Sequence, residues 1–113
     1  MQPLIRTKDI WEVELLDALG NETLGQRPAI VIATHSQTDM YMVVPLTSNA
    51  TATRFPNTYE IPSSSTNHLT VDSVAMIFQM RCLCRLRFLR KIGILEQNHF
   101  GRIGVLIKNF LGL

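Results

Sequence analysis

Arg27 and Thr47 are the two side chains in this sequence whose surroundings best suit work on a phosphate. Arg27 stands directly before Pro28, at the mouth of the β-rich run Pro28–Thr34 (PAIVIAT). Thr47 follows the apolar run Met40–Leu46, with Ser48 beside it. If the two runs pair as an antiparallel hairpin across the polar turn His35–Asp39, the start of one lies beside the end of the other. Arg27 then meets Thr47 at one rim of the sheet. A guanidinium offers a fixed fork of donors to phosphate oxygens, and a hydroxyl adds a neutral donor or acceptor. The competing reading pairs Arg27 with Glu22 to brace the loop Asp17–Gln26. Taken by themselves, the residues favour the brace.

Other chemistries find less support. The three histidines, His35, His68 and His99, lie more than thirty residues apart, and none has metal-ligand partners at zinc-finger or HExxH spacing. Cys82 and Cys84 lack a second pair. They cannot build a disulfide framework, and the pattern predicts that they pack as small hydrophobes. There is no GxGxxG, no phosphate-binding P-loop and no GxSxG elbow. No metal or cofactor is expected. Of the histidines, only His35, beside the polar turn, is placed to serve a site.

Charge is uneven. Five of the nine acids fall within the first 22 residues, whereas Ser73–Leu113 carries Glu96 alone against seven bases. Such asymmetry suits a polyanionic partner, nucleic acid or an acidic peptide, and equally a solvated surface that balances the acidic start.

The elements that must position these residues are legible in the periodicity. A chain of 113 residues with 46% hydrophobic and 18% charged residues fits one folded domain spanning 1–113. No apolar run approaches the ~18 residues of a membrane helix. The first residues carry no signal-peptide pattern, so a cytoplasmic protein is expected. DIWEVELL (9–16) alternates as a strand, with Trp11, Val13 and Leu15 on one face. Pro28 is expected to open the second strand, because it cannot donate to a ladder. Thr47–Asn57 is polar and expected to be flexible, Thr58–Ile61 is a short strand, and Pro62–Asn67 is the least structured loop. Ser73–Cys84 is the longest strand candidate. Arg81–Leu89 also alternates, which puts Arg81, Arg85 and Arg87 on one face and Cys82, Cys84, Leu86 and Phe88 on the other. Ile92–Leu95 is a last short strand. Apolar residues from Phe100 to Leu111 then recur at helical spacing, predicting a helix over Gln97–Leu111. Gly101 and Gly104 inside it are expected to allow close packing on the sheet. Strands first and one helix last mean a small curled antiparallel sheet or barrel closed by a C-terminal helix.

Several short patterns occur together in a telling order. They are Asp9-Ile10-Trp11, Gly20-x-Glu22-x-x-Gly25-x-Arg27-Pro28, Pro45-Leu46-Thr47-Ser48, Asp72-Ser73-Val74, Gln79-x-Arg81 and Lys91-Ile92-Gly93, with Leu111-Gly112-Leu113 at the end. From Asp9 to Leu113 the chain resembles the MazF/PemK (Kid-like) toxin family. The resemblance implies a mainly β (α+β) fold: an SH3-like small β-barrel, CcdB/PemK-like, with a C-terminal α-helix, in a homodimer. It implies metal-independent cleavage of single-stranded RNA at short specific sequences. The 2′-hydroxyl attacks the adjacent phosphate and leaves a 2′,3′-cyclic phosphate and a 5′-hydroxyl. It also implies a cognate antitoxin whose acidic tail folds over the groove.

Carried over position by position, Arg27 and Thr47 match the family's catalytic arginine and threonine, and Glu22 its loop glutamate. Gln79, Arg81, Arg85, Arg87, Ser48 and His35 are the expected RNA-contacting residues. The Arg81–Arg87 face also suits an acidic antitoxin tail. Phe55 and Tyr59 are candidates for stacking on bases, though packing is the commoner fate of such rings. The chain departs from the family where Lys8 replaces the glycine of "GDIW", where Phe78 replaces a frequent acid, where Met76 replaces an occasional arginine, and in its short His35–Asp39 turn. The alternative reading is a non-catalytic member that binds an acidic antitoxin-like peptide or a protein target such as a topoisomerase.

Overall fold

The alternation in DIWEVEL produces the first strand, β1 (Asp9–Leu15), with Trp11, Val13 and Leu15 buried on one face. The structure, a computed structural model, describes residues 3–15 and 25–113. Glu22 and most of the loop expected over 17–26 lie outside the described residues. The remaining elements are β2 (Gly25–His35), β3 (Met40–Thr47), a 3-10 turn (Ala50–Arg54), β4 (Thr58–Ile61), β5 (Ser73–Met76), β6 (Arg81–Cys84), β7 (Phe88–Ile94) and the helix α1 (Gln97–Phe110). Every pairing is antiparallel, in the order β4-β5-β3-β2-β1-β7, with β6 also on β3. The fold is thus the expected one: a small curled, barrel-like sheet with a C-terminal helix.

The central strands β1, β2 and β3 bury both faces. One face carries Trp11, Val13, Ala29, Val31, Tyr41 and Val43, and Leu83 and Phe88 complete this first core. Trp11 and Tyr41 both meet the Phe88 ring edge-on, at 5.8 and 5.3 Å between centroids. The other face carries Ile10, Ile30, Val44 and Leu46, over which α1 lays Ile103, with Phe100, Leu106 and Ile107 partly buried beside it. Burial on both faces explains why PAIVIAT reads as a nearly continuous apolar run rather than an alternating one.

Several expectations need correction. Ser73–Cys84 is two strands, not one, broken by a 3-10 turn at Ile77–Gln79. Both halves pair with β3, but Leu46 faces Ala75 and Val43 faces Arg81. Three steps along β3 therefore correspond to six along its partner, and the turn takes up the excess. The Arg81–Leu89 alternation likewise stops at Cys84, where a 3-10 turn (Arg85–Arg87) begins. Its cause is topological. β6 hydrogen-bonds to β3 and β7 to β1, on opposite edges of the β1–β3 core, so the chain must turn between them. The phase is accordingly lost: Leu83 and Phe88 are buried, while Cys82 and Leu86 are exposed. The last strand runs Phe88–Ile94 rather than Ile92–Leu95.

Pro28 does not open β2 but sits inside it, opposite Glu12. The ladder to β3 begins only at Ala29, so the missing N–H interrupts no bond there. Gly101 and Gly104 pack on nothing: a Cβ at either would meet no atom within 4 Å. Gly93 is the glycine that permits close approach, since a Cβ there would overlap the Asn67 backbone. That contact shows that the expected loose loop Pro62–Asn67 is pinned. Asn67 is fully buried, its amide donates to Pro62 O and Glu96 Oε1, and its Oδ1 accepts from Ser64 N and Leu69 N. The polar stretch after Thr47 is ordered as well. Asn49 Oδ1 accepts from Thr51 N at 3.1 Å and caps the 3-10 turn.

Candidate catalytic rim

The β2–β3 register fixes which end of the strand pair Arg27 and Thr47 occupy. Ala29 pairs with Pro45, Ile30 with Val44 and Val31 with Val43. Arg27 and Thr47 each lie two residues beyond the outermost of these pairs, Ala29–Pro45, at the same end of the two strands. Arg27 faces Val13 of β1, and Thr47 faces Val74 of β5. Both residues are half-buried at the end of the first core, where the sheet opens to solvent.

Thr47 is oriented locally. Its Oγ1 accepts the Asn49 N–H at 3.2 Å, which leaves the hydroxyl hydrogen as a donor toward solvent. Ser48 is exposed next to it. A guanidinium and a hydroxyl are the group types that can grip a phosphate on two oxygens.

The expected RNA-contacting residues divide into groups. Gln79 ends the 3-10 turn that follows β5, half-buried, on a segment packed against β3. Arg81 and Arg87 line a cavity of about 270 Å³ together with Glu14, Leu15, Met40, Cys82, Leu83 and Cys84. Arg85 points elsewhere. Its guanidinium lies 5.3 Å from the Trp11 ring centroid, and Nη1 donates to Phe88 O at 3.3 Å. The three arginines therefore do not form one flat face. His35 is at the far end of β2, eight residues from Arg27 and so roughly 26 Å away. Its Nδ1 and the Thr38 Oγ1 are hydrogen-bonded at 2.7 Å within the hairpin turn.

The two candidate stacking rings have separate fates. The Tyr59 hydroxyl is hydrogen-bonded to His99 Nδ1 at 2.6 Å, tying β4 to α1. Phe55 is exposed and in contact with Phe78, at 6.0 Å between centroids, while the Arg54 guanidinium lies 4.8 Å from the Phe55 centroid. Arg54 is absent from the residues that sequence patterns single out. Its only signal there was its place beside Phe55 in the polar stretch after Thr47.

Among the described residues two titrating groups are perturbed, both through hydrogen bonds. The Tyr41 hydroxyl donates to Asp39 Oδ1 at 2.8 Å, which raises its pKa above 10.0, and burial adds to the rise. At Glu96 burial pushes the carboxyl up. Donation from Ser64, the backbone and Asn67, with the nearby His99, outweighs it and leaves the pKa below 4.5. Among the described residues no three His, Cys, Asp or Glu side chains are grouped to hold a metal ion, and no helix is long and apolar enough to cross a membrane.

Residues 6–111 match the family described as the PemK-like, MazF-like toxin of type II toxin–antitoxin systems. The chain is 33% identical to the endoribonuclease MazF9 of Mycobacterium tuberculosis, over 97% of this chain and 98% of that protein. In fold it is similar to MazF from Deinococcus radiodurans, with a TM-score of 0.84 at 21% identity over 99% and 100% of the two chains. It is also similar to a MazE–MazF structure from the same organism, with a TM-score of 0.74 at 18% identity over 99% of each chain. A mycobacterial endoribonuclease solved in complex with its cognate antitoxin matches with a TM-score of 0.70 at 17% identity over 99% and 97%.

Proposed function

The chain belongs to the PemK-like, MazF-like toxin family of type II toxin–antitoxin systems, and from that membership we propose that it is an endoribonuclease toxin that cuts single-stranded RNA at the Arg27–Thr47 rim. The observation that supports the reading is the β2–β3 register, which pairs Ala29 with Pro45 and so puts Arg27 and Thr47 at the same end of the strand pair.

The nucleophile is the substrate's own 2′-hydroxyl. It attacks the adjacent phosphorus, the bond to the departing 5′-oxygen breaks, and the products are a 2′,3′-cyclic phosphate and a 5′-hydroxyl. Negative charge builds on the phosphoryl oxygens in the transition state. Arg27 faces that charge with preorganised donors. A guanidinium holds its proton too tightly to be an efficient proton donor, so its part is charge stabilisation. Thr47 holds a second oxygen through its hydroxyl hydrogen. Glu22, outside the described residues, is the candidate to take the 2′-proton. Because the attacking group and the leaving group both belong to RNA, the reaction needs no metal-bound water.

The partners follow from the same surface. Arg81 and Arg87, lining one cavity, suit an acidic antitoxin segment as well as an RNA backbone. The exposed apolar side chains Ile94, Val105, Phe110 and Leu111 support a homodimer.

The test is incubation of the purified protein with a long unstructured RNA in EDTA, with Arg27→Ala alongside. Discrete cuts bearing 2′,3′-cyclic phosphate ends are expected, with a rate about a hundred- to a thousandfold lower in the variant, as for loss of one preorganised donor. Undiminished cutting by Arg27→Ala overturns the assignment. No cutting by folded, antitoxin-free protein leaves the non-catalytic, peptide-binding reading.

A further inference from the structure

Phe55 and Phe78 are rings without a core. Neither joins the two buried clusters, and Phe55 keeps 45% of its surface exposed at the end of the Ala50–Arg54 turn. They come from different segments and meet at 6.0 Å with their planes inclined at 55°. Arg54 completes the group with its guanidinium 4.8 Å from the Phe55 centroid. A large apolar ring held in water by a neighbouring ring and a planar cation offers faces on which a nucleobase can stack.

Position says which base. Thr47 leads through the Asn49 cap directly into the turn that ends at Phe55. Val74 pairs with Thr47, and Phe78 follows four residues later across the end of β5 and the start of the next turn. Strand and 3-10 rises put the Phe78 backbone roughly 10 Å from the level of Thr47. One nucleotide, from its phosphate to the far edge of its base, covers such a span. A backbone amide also ties the two segments together, with Ile77 N donating to Asn57 O at 3.0 Å.

We propose that Arg54, Phe55 and Phe78 form a stacking platform for the nucleobase beside the scissile phosphate, and that the platform sets part of the cleavage sequence. The inference rests on the ribonuclease reading of Arg27 and Thr47. RNA is favoured over a peptide as occupant because the platform is continuous with the phosphate-gripping pair.

The experiment uses the full chain and a short fluorescein-labelled 2′-O-methyl RNA of random sequence, which binds but cannot be cut. Phe55→Ala is expected to weaken binding about ten- to a hundredfold, with the salt dependence unchanged because no phosphate contact is lost. Phe55→Trp is expected to restore binding. On a long natural RNA the mapped cut sites of Phe55→Ala are expected to lose their preference at one nucleotide beside the cleaved bond. Circular dichroism confirms that each variant is folded, and Phe78→Ala is expected to repeat the effect from the second segment. Unchanged affinity and unchanged cut sites in Phe55→Ala, while the parent cuts, overturn the platform alone and leave the rings to a peptide partner. A parent that neither binds nor cuts RNA overturns the ribonuclease reading, and the platform falls with it.

Discussion

At the scale of single residues, backbone geometry explains one departure from the family pattern. Lys8 stands where the resembled "GDIW" pattern has glycine, and its φ is 77°. An L side chain in the left-handed region costs about 1–2 kcal/mol. The position is held because Lys8 N donates to Val31 O at 2.9 Å and Lys8 O accepts from Leu95 N at 2.8 Å, which join the chain start to β2 and to the residue after β7. Lys8→Gly is expected to stabilise the fold by about 1 kcal/mol, offset in part by the lost bond from Lys8 Nζ to Gln97 Oε1. The shift in midpoint of urea denaturation checks it. Asp9 is buried beside it, accepting from Arg6 N and Trp11 Nε1 and paired with Lys91 at 3.3 Å. The Asp-Ile-Trp motif is therefore an anchor of the fold rather than part of the rim. Cys82 and Cys84 are free thiols, one exposed and one half-buried, and sequence parity had placed both in the core.

At the scale of elements, the helix shows where local preference and tertiary packing separate. Ile103 is its one fully buried side chain, and Gly101 and Gly104 lie exposed with open space around them. They weaken the helix without a packing return in the single chain. Gly101→Ala is expected to stabilise by about 0.5–1 kcal/mol, read as a rise in melting temperature. The strand following β5 shows the opposite lesson. Its residues are apolar enough to continue as a strand, yet the register against β3 forces a turn at Ile77–Gln79. That turn is what carries Phe78 and Gln79 out of the ladder, beside the stretch of β3 between Leu46 and Val43. A second turn, Arg85–Arg87, sends Arg85 onto Trp11 and leaves Arg87 with Arg81 at the cavity.

At the scale of the whole molecule, two cores share the β1–β3 strands, and the Pro62–Asn67 loop clamps the second of them to the helix start. Glu96 accepts from Ser64 Oγ at 2.7 Å and from Asn67 Nδ2 at 3.2 Å. Its pKa in the folded chain is below 4.5, so the folded state holds this proton less tightly than the unfolded chain does. The contribution is fully present above pH 4.5 and is lost as pH falls from there through the folded value. Acid titration followed by circular dichroism is expected to show that loss, and a smaller one in Glu96→Gln, which keeps the oxygen acceptor but does not titrate. The sequence by itself determined much of the rest. Period-two and period-3.6 patterns placed β1, β3, β4 and α1, and the order strands-then-helix implied the barrel-like class, because apolar periodicity is a local record of which face is buried. It also singled out the hairpin whose common end Arg27 and Thr47 occupy, since the two runs flanking a short turn could pair in few ways. Only the tertiary structure decided where ladders change partner, which arginines share a cavity, that His35 sits at the opposite end from the rim, and that Phe55 and Phe78 touch. Those are relations between segments distant in sequence, fixed by which strand hydrogen-bonds to which, and no local pattern encodes them.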